Sequence, residues 1–165
     1  IPEDGVVNDI FTIDFPQNIT QVHFIKLRLF DTKGKEVANT FYWRSNDKYE
    51  GRKTLTGPTS SGFEDLSKLK QVQLKTRYQT YQEGDRHFIK AEIKNPSSTV
   101  AFFTQLQLLG QDKKPVRPSF YTDNFFSLLP GESKTVIIET AASDMPSEPT
   151  FVVKGWNIKP SSFKL

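Results

Sequence analysis

The chain has 165 residues, 36% hydrophobic, 13% aromatic and 25% charged, with 14 Phe and no Cys. That composition suits one ordinary globular domain, or one domain and a piece of another, able to bury on the order of two-thirds of its unfolded surface. The net charge is only +3 and the charges are interspersed, so no phosphate-tracking basic cluster and no nucleic-acid partner is expected; the missing Cys excludes disulfides, thiolate metal sites and cysteine nucleophiles, and no apolar run is long enough for membrane insertion as a helix.

The sequence opens on Ile1 rather than Met, and "IPEDGVVND" lacks the basic and apolar regions of a signal peptide, so the chain reads as a piece of a longer polypeptide. Alternation of period two begins at once. "VVNDIFTIDF" sets Val7, Phe11, Ile13 and Phe15 on one face; "VHFIKLRLFD" does the same with Ile25, Leu27 and Leu29, and "EVANTFYWRS" with Val37, Phe41 and Trp43. This pattern predicts three half-buried antiparallel strands over residues 1–45, the last two joined by an Asp31–Lys35 loop in which Gly34 takes positive φ. Three strands with one apolar face do not close a sandwich, so residues 1–45 are expected either to pack on the following domain or to be the incomplete end of a preceding β-sandwich whose partner strands lie upstream of Ile1; the second option fits the absent Met.

Residues 46–62 are polar, aperiodic and rich in Gly, Ser, Thr and Lys, the composition of a linker. "FEDLSKLK" follows with Phe63, Leu66 and Leu69 at helical spacing, so 46–69 reads as linker plus one helical turn. From residue 70 to 165 the period returns to two. "VQLKTRY", "RHFIKAEIKN", "TVAFFTQLQLLG", "VRPSFY", "NFFSLL", "KTVIIET" and "TFVVKGWNI" are seven short strands separated by turn signals, among them Asn95-Pro96-Ser97-Ser98 and Pro130-Gly131-Glu132. Pro118 confines "VRPSFY" to an edge or crossing segment. The fold class is therefore all-β: a complete immunoglobulin-like antiparallel sandwich preceded by about three strands of another domain, without the Cys…Trp…Cys pattern of antibody domains.

Catalytic constellations are absent from the pattern. His23 and His87 sit inside strands without partners at ligand spacing, His87 on the apolar face; there is no nucleophile elbow and no glycine-rich phosphate loop. No catalytic, metal or cofactor residue is expected. Asn18-Ile19-Thr20 fits a glycosylation acceptor, a pattern that is common by chance. The aromatics remain, because flat rings stack on sugar C–H faces and Tyr and Trp keep a polar handle. Tyr42, Trp43, Tyr121, Phe125 and Trp156, with Asp123 and Asn124 between two of them, are the candidates for contact with a sugar or with a neighbouring domain. On the other side stands the ordinary use of aromatics as sandwich core.

Two segments carry a resemblance. "VHFIKLRLFDTKGKEVANTFYWRS", through Phe24, Leu27, Leu29, Asp31, Gly34, Phe41, Tyr42 and Trp43, resembles the last hairpin of the β-sandwich that follows the catalytic barrel in family 2 glycoside hydrolases of the β-mannosidase and exo-β-glucosaminidase branch. "YTDNFFSLLPGESKTV", through Asp123 to Phe126, Leu128, Leu129 and Pro130-Gly131-Glu132, is similar to the final immunoglobulin-like domain of the same enzymes, and "FVVKGWNI" to its last strand. The family's barrel and its paired glutamates have no counterpart here. The resemblance thus implies a non-catalytic accessory domain of a secreted or periplasmic glycosidase, whose partners are the other domains of that enzyme. A carbohydrate-binding module contacting β-linked glycans, or an adhesion module recruiting a partner strand at its edges, are the alternatives.

Overall fold

A computed structural model describes residues 4–46 and 62–165. The chain divides into two compact units, residues 1–66 and 67–165. Most of the segment read as a linker, residues 47–61, lies outside the described residues.

In the first unit β1 (Val22–Phe30) and β2 (Glu36–Ser45) form an antiparallel hairpin. Its turn is organised by Asp31, whose Oδ1 accepts the amides of Lys33 and Lys35 at 2.9 Å each, while Gly34 takes φ 77°. That is the local bonding for which Asp is favoured in turns, with Gly supplying the left-handed position. Two expectations fail in this unit. Residues 6–15 form no strand; Val6, Val7, Ile10, Phe11, Ile13 and Phe15 are exposed, and the sheet has two strands. Alternation makes a segment able to be a strand, but the ladder needs a partner edge, and neither edge of this hairpin is taken up by it.

The hairpin also lacks a single apolar face. The register sets Ile25 opposite Tyr42 and Leu27 opposite Thr40, but Phe24 opposite Trp43 and Lys26 opposite Phe41. Directly opposed residues share a face, so Ile25, Leu27 and Leu29 lie on one side of the ribbon and Phe41 and Trp43 on the other, where the Phe24 and Phe41 rings stand 5.6 Å apart. Each strand keeps its own alternation; the turn fixes a register that sets the two apolar sets back to back.

The expected helical turn is a 3-10 helix, Glu64–Lys68, and a second one, Ala142–Asp144, occurs in a loop that the pattern left irregular.

The second unit is the sandwich, with eight strands where seven were expected. One sheet runs β3 (Lys75–Glu83), β4 (Arg86–Lys94), β8 (Ser133–Ala141) and β6 (Phe120–Tyr121); the other runs β10 (Ile158–Lys164), β9 (Thr150–Gly155), β5 (Ala101–Leu109) and β7 (Phe126–Leu128). The additional strand is β10. "TFVVKGWNI" is therefore β9 and the turn after it, not a final strand. Pro160 and two serines disguise β10 as a loop, yet at a sheet edge a proline withholds no ladder bond, and the pairing with β9 shifts register between Ile158 and Ser161. Ile89, Ala91 and Ile93 of β4, Val136 and Ile138 of β8, Leu106 and Leu108 of β5, and Phe151 and Val153 of β9 form the core with Phe126 and Leu128. Fully burying each Val, Ile, Leu or Phe side chain among them stabilises by roughly 1.5–3 kcal/mol. His87 is half-buried on the same face as Ile89, as its position in the alternation requires.

Candidate functional site

Three segments of the sandwich meet at one corner, and two asparagines, Asn157 and Asn124, build it. In β5 the pairing with β7 passes from Ala101↔Leu128 to Thr104↔Phe126 through a register shift, and Phe103 in the bulge takes φ 57°. Asn157, 6% exposed, locks this bulge: its Oδ1 accepts the Phe102 amide at 2.9 Å, and its Nδ2 donates to the carbonyls of Val100 and Lys70, each at 2.9 Å. Gly155 makes the close approach possible, since a Cβ there would stand 2.8 Å from the Phe103 carbonyl oxygen and 3.0 Å from that of Phe102. The Trp156 amide then donates to Phe102 O at 3.0 Å, which places the β9–β10 turn against the bulge.

Asn124 does the same work from the loop before β7. Its Nδ2 donates to Leu106 O at 3.0 Å, and its Oδ1 accepts the amides of Leu106 at 2.8 Å and of Phe125 at 3.1 Å. Phe125 is thereby held at φ 58°, and its ring stands 5.9 Å from that of Phe103. A bulky residue at positive φ is a steric outlier, worth on the order of 1–3 kcal/mol of strain each. The outcome is that Phe125 is 51%, Trp156 60% and Phe103 37% exposed, while the neighbouring Phe102 and Phe126 are buried. Period two in "NFFSLL" places Phe126 and Leu128 on one face and Phe125 on the other, and their burial follows it.

Of the other candidates, Tyr121 faces the core rather than solvent. Its hydroxyl accepts the Leu108 amide at 3.0 Å, and burial pushes the phenol above the usual tyrosine range, partly offset by that bond and by Ser119. Asp123 pairs with Lys134, whose ammonium lies 5.2 Å from the centre of the Phe126 ring, and its Oδ1 accepts the Asn124 amide at 2.7 Å. Tyr42 and Trp43 are adjacent in β2 and so point to opposite faces of the hairpin; they cannot share a platform. The structure thus brings Phe125 and Trp156 to one corner, and spends Asn124 and Tyr121 on holding backbone.

Sequence reasoning missed Phe103, Asn95 and Asn157. Asn95 is fully buried. Its Nδ2 donates to Leu128 O at 3.0 Å and Thr99 O at 2.8 Å, and its backbone carbonyl accepts the amide of Gly131, pinning the Pro-Gly-Glu turn. Turn-forming asparagines are common, and nothing in one sequence separates these from solvated ones. Among the described residues no group of three His, Asp or Glu is arranged to hold a metal ion.

Residues 54–158, more than half of the chain, match the exo-β-D-glucosaminidase Ig-fold domain. The chain belongs to that family. It is 30% identical over 149 residues to the exo-β-D-glucosaminidase of Streptomyces avermitilis, covering 84% of this chain and 16% of the relative. To the exo-β-D-glucosaminidase of Amycolatopsis orientalis it is 27% identical over 157 residues, 88% of this chain and 15% of the relative. The crystal structure of Amycolatopsis orientalis exo-chitosanase CsxA shares the fold, with a TM-score of 0.79 and 23% identity over 94% of this chain and 19% of that one. The chain therefore spans about a sixth of the length of these relatives. The resemblance to the terminal Ig-like region of family 2 glycoside hydrolases holds, and it falls on the exo-glucosaminidase side; the mannosidase type finds no support.

Proposed function

We propose that this chain is a non-catalytic accessory domain of a longer exo-β-D-glucosaminidase-like enzyme, with a role in packing against the catalytic part and supporting it. The observation that carries this reading is the coverage: the match runs over 84–88% of the chain but only 15–16% of each relative. The chemistry agrees. Asn95, Asn124, Asn157 and Tyr121, polar groups at or near the corner, bind backbone and not a vacant space. Glycoside hydrolysis needs two carboxyl groups flanking one bond, whereas Asp123 is engaged with Lys134 and Glu139 with Arg86 at 2.8 Å. The partners in this reading are the other domains of the enzyme, which acts on β-linked amino-sugar glycans outside the cytoplasm.

The test is turnover of an aryl β-D-glucosaminide by the chain alone and by the longer polypeptide. The chain alone is expected to hydrolyse nothing, and the longer polypeptide to be active and to lose thermal stability when residues 67–165 are deleted. Measurable hydrolysis by the chain, or a deletion without effect on the remainder, overturns the proposal.

A further inference from the structure

Of the four edges of the sandwich, three are guarded. β6 and β7 offer only two and three residues, and β10 carries Pro160 and a register shift, with Val72 bridging its first residue. Short edges, proline and irregular pairing are the usual devices that keep a sheet from adding a strand. β3 has none of them. It runs nine residues without Gly or Pro, and its pairing with β4 keeps one register from Lys75↔Lys94 to Glu83↔Arg86. Its far side carries no strand among the described residues, which leaves a row of backbone donors and acceptors for a ladder.

The side chains of β3 say what fits there. About Gln79 the run Lys-Thr-Arg-Tyr-Gln-Thr-Tyr-Gln-Glu is complementary to itself. A second β3, antiparallel and centred on Gln79, sets Lys75 against Glu83, Arg77 against Tyr81, Tyr78 against Thr80 and Thr76 against Gln82. Opposed residues share a face and diagonal neighbours come within reach of long side chains, so Glu83 also meets Arg77 of the second copy. Within one chain Lys75 stands opposite Lys94, a destabilising like-charge pair, and no ion pair among the described residues engages Lys75, Arg77 or Glu83. The Tyr81 ring stacks on Phe88 of β4, with centroids 5.0 Å apart and planes 11° from parallel, so its other face is turned to the free edge, where a guanidinium can lie over it. We infer that β3 is a self-recognition strand: two copies of this chain join through antiparallel β3 pairing about Gln79, merging two four-stranded sheets across a two-fold axis.

Sedimentation equilibrium of the chain, with a charge-swap series, tests this. The chain should pass from monomer to dimer as its concentration is raised to about 1 mM, where even a weak dimer forms. Lys75→Glu and Glu83→Lys, each alone, set like charges against each other across the axis and should weaken the dimer at least about tenfold. The double variant, Lys75→Glu with Glu83→Lys, restores opposite charges and should bring the affinity back to within about threefold. Both positions are exposed, so the variants should keep the fold, which circular dichroism checks. Amide exchange of the unaltered chain needs no variant: the β3 amides should slow as concentration rises, while those of β10 do not. A chain that stays monomeric, with β3 exchange independent of concentration, overturns the inference. So does a dimer indifferent to both single reversals, which forms through another surface such as the exposed hairpin. A double variant no better than the singles overturns the pairing about Gln79.

Discussion

The hairpin and the sandwich are made from the same alternating pattern and reach opposite results. Of the nine residues of β1 and ten of β2, only Val22 is buried, whereas β4, β5 and β8 of the sandwich alternate buried and solvated positions along most of their length. The difference is not in hydrophobicity, since the hairpin carries Leu27, Leu29, Phe30, Val37 and Trp43. It lies in what each apolar side meets. In the sandwich a second four-stranded sheet covers the first, and each buried residue touches others; among the described residues no second sheet covers the two-stranded ribbon, and an isolated ribbon of that kind is marginal in water. Periodicity states which way a side chain points, and topology decides whether anything is there.

The sharpest break of the comparison is in the sandwich core. Phe151, the second residue of β9, is fully buried, with its ring against those of Tyr78 and Phe163. Phe151→Ala should destabilise the sandwich by roughly 3–5 kcal/mol, through lost burial and the cavity left behind, seen as a drop in the denaturation midpoint at constant slope. A loss under about 1 kcal/mol would mean that the core collapses around the gap, and that the sandwich is no better packed than the hairpin.

Next is the asparagine clamp. Asn157→Ala leaves the Phe102 amide and the Val100 and Lys70 carbonyls without this partner. Each buried group stranded costs about 1–3 kcal/mol, reduced where water reaches it, so a total near 2–4 kcal/mol is expected from urea unfolding. Asn157→Asp keeps the acceptor for Phe102 and loses both donated bonds, so it should not restore stability. A full rescue by Asp would show that the amide donors contribute nothing.

A smaller change should go the other way. Thr104 faces the core at 0% exposure, and its hydroxyl has no hydrogen-bond partner. Thr104→Val keeps the shape and removes the stranded group, so the chain should gain about 1 kcal/mol, read as a higher melting temperature. A loss of stability would reveal a bound water serving that hydroxyl.

These residues also mark where the sequence could be read and where it could not. Ile89, Ala91, Ile93, Val136 and Ile138 follow from period two alone, because a strand with one covered face leaves that signature. The Asp31–Lys35 turn follows from local chemistry, since all its bonds close within five residues. Asn157 and Asn124 do not follow, because their bonds span 55 and 18 residues and become visible only when the sheets are assembled. Phe103 was hidden for a related reason: the bulge that turns it outward is set by β7, β9 and Gly155, and by nothing in its own strand. The segment 6–15 failed in the reverse sense, with a strand pattern but no pairing to either edge of the hairpin.

The smallest effect is expected in the hairpin, on its Leu29 side. Leu29 is 56% exposed. In the chain alone Leu29→Ala should shift the exchange free energies of β1 and β2 amides by less than about 0.5 kcal/mol, since little apolar area leaves contact. Those amides should themselves open far more readily than the amides of β4 and β8, which lie within a four-stranded sheet over the core. In the longer polypeptide proposed above, the same substitution becomes a test of whether the ribbon is covered there. If a neighbouring domain packs on the Ile25, Leu27 and Leu29 side, the cost rises to the roughly 2–5 kcal/mol of a buried Leu→Ala change. Trp43→Ala reports separately on the opposite side, because Trp43 and Leu29 lie on different faces of the same two strands. A large cost for one and a small cost for the other would mean a ribbon lying on a surface. Large costs for both would mean that it is sandwiched between two layers, which is the environment that back-to-back apolar sets require.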